Sequence, residues 1–156
     1  MSYPCLKEII NVNDIDIAKA TLEKNDLSLA IVKEGKVLYS SSAKGIKPLY
    51  TALEEIGGEL SGASIADKVI GKAAALLCNS VGIKAIYTKL ISEQAIKILK
   101  KTNIEFYYNQ VVPYIKNRDK TDMCPIEKMA ETTDDHEEMI SKLEDFFEKM
   151  KKGQVK

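Results

Sequence analysis

Gly62-Ala63-Ser64-Ile65-Ala66-Asp67-Lys68-Val69-Ile70-Gly71-Lys72-Ala73-Ala74-Ala75-Leu76-Leu77 is the stretch on which the reading of this chain turns. Its opening residues read as a loop closing into a helix, with Ser64 and Asp67 spaced as in a capping box. From Val69 to Leu77 the expected helix is apolar nearly all round, and such a helix is normally buried in the middle of a domain. Gly71 inside it costs about 1 kcal/mol against alanine, which predicts a closely packed neighbour.

On the N-terminal side, Asp14 is placed to cap a helix carrying Ile15, Ala18 and Leu22 and ending near Asn25. Leu27 to Val32 and Val37 to Ser41 read as strands joined by a two-residue turn at Glu34-Gly35. Pro48 suits the first turn of a helix through Leu49, Leu53 and Ile56, stopped by Gly57-Gly58. On the C-terminal side, Ile83 to Thr88 and Ile104 to Tyr108 read as strands flanking a helix capped by Ser92. Pro113 interrupts a β-rich piece from Val111 to Ile115, and Pro125 opens a short helix. From Asp134, Met139, Ile140, Leu143, Phe146, Phe147 and Met150 mark one face of an amphipathic terminal helix. Its acids precede Lys149, Lys151 and Lys152, the order a helix dipole favours. Strands alternating with helices after an opening hairpin predict a single α/β domain over 1–156, three-layered α/β/α around a mixed sheet. The helix within 132–156 is expected to pack on that domain or on a partner subunit.

The chain has 156 residues, 45% hydrophobic and 29% charged, which fits one globular domain. Twenty-three basic residues balance 23 acidic ones, so no basic excess argues for nucleic acid or an anionic membrane. The longest apolar run, Ala73 to Cys78, is too short to span a bilayer. Three cysteines, Cys5, Cys78 and Cys124, form no close pair in sequence and read as reduced thiols, and no signal segment opens the chain. A cytoplasmic protein with no membrane or nucleic-acid partner is the expectation.

Three segments carry a family likeness: Gly45-Ile46-Lys47-Pro48-Leu49, the run from Gly62 to Ala75, and Asn117-Arg118-Asp119-Lys120-Thr121-Asp122-Met123-Cys124-Pro125-Ile126-Glu127. Together with the element order they resemble a family of small prokaryotic proteins of unknown function with a cytidine-deaminase-like fold. The likeness extends over nearly the whole chain. Zinc deaminases place His or Cys, then Glu two residues on, at the start of one helix, and Pro-Cys-x-x-Cys at the next. By this likeness Asp67 and Val69 stand at the first motif, and Ser92 and Ala95 where thiolates belong. No shift of register supplies a histidine, because the only one is His136. Zinc-dependent deamination is therefore not expected, nor any other metal or cofactor.

What the likeness leaves is a pocket where two helices point their N-termini, whose unpaired N–H groups favour an anion. Gly62, Ser64, Asp67, Lys68, Gly71 and Lys72 are the candidates at the first tip, and Ser92 at the second. A plain capped helix with solvated lysines accounts equally for Ser64 and Asp67. Arg118, the only arginine, sits between Asn117 and Asp119 and invites phosphate or carboxylate recognition. A fixed ion pair with Asp119, Asp122 or Glu127 is its structural alternative. Tyr107 and Tyr108 have adjacent places on a strand and so opposite faces, one of them a candidate to stack on a base.

The first expectation is thus a zinc-less deaminase-like protein binding a nucleotide or other phosphorylated small molecule at these helix ends. The second is a metal-independent group-transfer enzyme using Asp67 as acid/base or acceptor, or Cys124 as nucleophile. The third is a non-catalytic assembly module, a homodimer or other homo-oligomer built through the terminal helix.

Overall fold

The first strands form as their residues dictate. In the computed structural model, which describes residues 13–153, β1 (Leu29–Lys33) and β2 (Lys36–Ser41) make an antiparallel hairpin. Its turn places Glu34 at φ 52° and Gly35 at φ 79°, the left-handed geometry that matches strand twist in a two-residue loop. Helix α1 (Asp14–Lys24) starts beside this turn. Asp14 does not cap its own helix; its two carboxylate oxygens accept the Glu34 and Gly35 amides at 2.9 Å each. After β2 come α2 (Lys47–Ile56), with Pro48 in its first turn, and a single 3-10 turn at Gly57–Glu59.

The decisive stretch then departs from the expected capped helix. Ser64–Ile70 is a strand, β3, and it occupies the centre of the sheet. Ile65 pairs with Ile31 of β1 on one side and Ile86 of the next strand on the other. A strand with neighbours on both sides and helices above and below shows an apolar run rather than alternation, so it resembles a buried helix in sequence. Ser64 and Asp67 have capping-box spacing but extended backbones. The helix itself, α3 (Lys72–Ser80), begins three residues later than Val69, with Gly71 as its N-cap rather than an interior residue, and every residue from Lys72 to Cys78 is buried.

β4 (Ala85–Ser92), α4 (Glu93–Leu99) and β5 (Glu105–Val112) complete the sheet. Both strands run four residues beyond the expected ends, and Pro113 falls just after β5. Ser92 caps α4 as expected, its hydroxyl accepting the Ala95 amide at 3.1 Å. The five-stranded mixed sheet has order β2-β1-β3-β4-β5, with β3, β4 and β5 parallel and β1 antiparallel to both its neighbours. A loop leads to α5 (Pro125–Ala130), and α6 (His136–Lys151) follows, capped by Asp135.

Alternation along β1 sorts the helices. Ala30 and Val32 face α1, where Ala18 and Leu22 pack with Ala66 and Tyr87. Leu29 and Ile31 face the opposite side, in one core with residues of the other five helices. The chain is therefore an α/β fold with helices on both faces of the sheet. The buried face of α6, Met139, Leu143 and Phe147, is covered within the chain, where α6 packs on α3. Among the described residues no helix is long and apolar enough to cross a membrane. Cys5 lies outside the described residues.

Candidate functional site

Parallel strands with crossover helices leave a crevice outside their carboxyl ends, where sheet direction changes. Among the described residues a cleft of about 560 Å³ lies there. Its polar lining is Asp26, Ser28, Ser42, Lys44, Asp67, Lys68 and Glu127, and its apolar lining includes Ile46, Ala74, Ile115 and Ile126. All of it gathers around the ends of β2 and β3, the start of β1 and the chain following β5.

Asp67 is the key group. Its Oδ1 accepts the Val69 amide at 3.1 Å, and no ion pair to it forms among the described residues. Loss of water around the carboxyl outweighs the Val69 and Lys68 amides and raises its pKa to about 8. Behind it, burial and then the Asp67 charge push the Cys78 thiol well above its ordinary value, as suits a core cysteine. Lys68, beside Asp67 on β3, turns to Asp26 instead, with 3.2 Å between Nζ and Oδ1.

Glu127 shapes the far wall. Its carboxylate reaches back from α5 to the start of α3, where Oε1 accepts the Lys72 amide at 2.7 Å and Oε2 the Ala73 amide at 3.4 Å. Burial raises its pKa, opposed by those two amides and the Lys72 charge. The helix tip expected to receive a ligand anion thus receives the protein's own carboxylate, and the α4 tip is closed by Ser92. Gly71 is small for this reason: a Cβ there would overlap the Glu127 carboxyl. Its backbone is extended, at φ −102°, so space rather than conformation selects glycine.

The remaining candidates scatter. Lys68, Gly71 and Cys124 line that cleft with Asp67. Lys72 and Ser92 line a neighbouring hollow of about 100 Å³, which also touches Glu127. Lys72 and Lys68 do not share a helix face; Lys72 has a side chain only 8% exposed, and its Nζ lies 2.7 Å from Asp134. That contact lowers the Asp134 pKa. Gly62 and Ser64 sit at the other end of β3, the glycine amide bonded to Gly82 and Ser64 buried against β1. Asn117, Arg118 and Asp119 line neither hollow. Asn117 braces its loop, its side-chain oxygen accepting the Thr121 amide at 3.0 Å, whereas Arg118 is exposed and forms no ion pair among the described residues. Tyr107 and Tyr108 are both exposed on β5, away from the cleft.

Asp26, Ser28, Ser42, Lys44 and Glu127 are the lining groups that sequence reasoning missed. Of these, only Glu127 appears in the sequence reading, as the end of the motif from Asn117 and as a possible ion-pair partner of Arg118. Asp67 and Val69, compared above with the first zinc motif, lie on β3 and not at the start of a helix. Among the described residues no three His, Cys, Asp or Glu side chains gather as a metal cage.

Residues 17–147 match the family TM1506, a domain of unknown function (DUF1893). The crystal structure of a DUF1893 family protein, TM1506 from Thermotoga maritima, is similar with a TM-score of 0.78 and 31% identity, over 86% of this chain and 90% of that one. No curated protein matches.

Proposed function

We propose, for a chain that belongs to the DUF1893 family of unknown function, that the Asp67 cleft binds a nucleotide or another phosphorylated small molecule of that size. The observation that carries this reading is a carboxyl, Asp67, that forms no ion pair among the described residues and lies in a crevice of about 560 Å³ at the strand ends, within the range of small-molecule sites. Lys44 and Lys68 supply positive charge at the same cleft, and the apolar lining suits a planar ring. The crevice is favoured over the helix tips because Glu127 already accepts the Lys72 and Ala73 amides and Ser92 the Ala95 amide. The strand order and crossovers support reading the fold as a metal-less variant of the cytidine-deaminase plan.

Calorimetry with the adenosine, cytidine, guanosine and uridine 5′-monophosphates tests the proposal. Binding that weakens in both Asp67→Ala and Lys44→Ala supports it. Absence of binding by all four, or binding indifferent to both substitutions, refutes it.

A second reading, a metal-independent acid/base enzyme, is favoured by one observation: two carboxyls with raised pKa, Asp67 and Glu127, line one cleft. Turnover of a bound nucleotide that vanishes in Asp67→Asn while binding persists would establish it.

A further inference from the structure

We propose that Asp67 serves this cleft as a neutral carboxylic acid, donating its Oδ2 proton to a carbonyl oxygen or an unprotonated ring nitrogen of the ligand. The inference deepens the ligand-binding reading and rests on it. It also narrows the ligand class, because an ammonium or guanidinium group would require the ionised carboxylate.

The two oxygens of Asp67 are not equivalent. Oδ1 is committed to the Val69 amide, so a proton on the group belongs on Oδ2, which forms no hydrogen bond among the described residues. The charged neighbours leave it neutral. Lys68 is engaged by Asp26, and Lys44 on the loop after β2 is exposed to solvent. Glu127 on α5 is tied to the α3 amides, and Cys78 on α3 holds a neutral thiol. Cys124 is the other titratable side chain on this wall. Among the described residues neither lysine forms an ion pair with the Asp67 carboxyl, which stands beside apolar lining. With a pKa of about 8, Asp67 is some tenfold more neutral than ionised near pH 7. A carboxylic acid held neutral in this way is an established kind of hydrogen-bond donor.

The experiment uses the full chain, the four nucleoside monophosphates named above, and two variants. Asp67→Asn keeps an oxygen for the Val69 amide and presents an N–H where the acid presents its O–H, at every pH. Asp67→Ala presents nothing. The expected result is that the wild type weakens roughly tenfold per pH unit above about pH 8 as the donor is lost. Asp67→Asn should stay within about threefold of the wild type near pH 6.5 and lose the pH dependence, while Asp67→Ala weakens about tenfold. Affinity that instead rises above about pH 8, together with a tenfold or greater loss in Asp67→Asn, would overturn the donor role while leaving the cleft a binding site. Binding by none of the four nucleotides overturns both readings together. Circular dichroism of each variant separates misfolding from lost contact.

Discussion

Gly71 and Glu127 are fitted to each other across 55 residues of intervening chain, the carboxylate lying where a Cβ on the glycine would stand while it accepts the Lys72 amide at 2.7 Å. Neither residue explains itself alone. A glycine with ordinary φ is unnecessary without the carboxylate, and the carboxylate would have no reason to be buried without the helix tip.

Gly71→Ala should therefore destabilise the chain by about 1–3 kcal/mol, the usual cost of forcing one extra carbon into a filled space. Glu127→Ala should cost about 1–2 kcal/mol by stripping the cap from α3. The double variant should cost less than the sum, because alanine at 71 then meets no carboxyl. Urea denaturation of all four proteins measures this coupling, and strict additivity would disprove the fit.

Asp67 makes stability depend on pH with a definite sign. Its pKa rises from 3.8 to about 8 on folding, so between those values the native state holds the proton more tightly than the unfolded chain. Stability must fall as pH climbs through that window and level off above it. Asp67→Asn, which has no proton to lose, should be more stable than the wild type by about 2–4 kcal/mol near pH 8, a figure reduced from full linkage for the residue's partial solvent contact. The difference should fade toward pH 4. Thermal melts of the two proteins across this range check it.

The opposite sign holds for Asp134, whose carboxyl is kept below the usual range by Lys72. Its contribution is present above the ordinary carboxylate pKa and is lost as acid titrates the folded group. Asp134→Asn should accordingly destabilise the chain at neutral pH, because the Lys72 side chain is only 8% exposed and would lose its partner. In strong acid the variant and the wild type should converge, which melts in acidic buffer would show.

Arg118→Ala should change neither nucleotide affinity nor stability beyond about 0.5 kcal/mol. Asn117→Ala, one residue away, should cost about 1 kcal/mol through the lost loop bond to the Thr121 amide at 3.0 Å. A large loss of affinity in the arginine variant would bring that loop into the site.

The hairpin at Glu34-Gly35, the Ser92 cap and the helix opened by Pro125 were legible because each depends on residues adjacent in sequence. β3 was not. Ile65, Ala66, Val69 and Ile70 fit a buried strand and a buried helix alike, and Ser64 and Asp67 coincide with capping spacing, so only pairing with β1 and β4 decides. Asp67 is legible as a residue at an expected helix start and first-motif position, but what distinguishes it in the structure is desolvation at a strand end. Asp26, Ser28 and Lys44 reach the cleft through chain reversals that no local pattern encodes. Arg118 illustrates the converse, since rarity in composition says nothing about position in space.

The central strand also governs how this chain acquires its shape. β3 is joined edge to edge with β1, from which β2 and α2 separate it, and with β4, from which α3 separates it. No tight turn can bring it to either neighbour. Two large loops must close before it has partners, and closure of such loops slows folding more than it weakens the finished state. Until both have closed, the central strand of the sheet waits with two bare edges, making the interval before β3 docks the period in which the newly made chain is most prone to associate with other copies of itself.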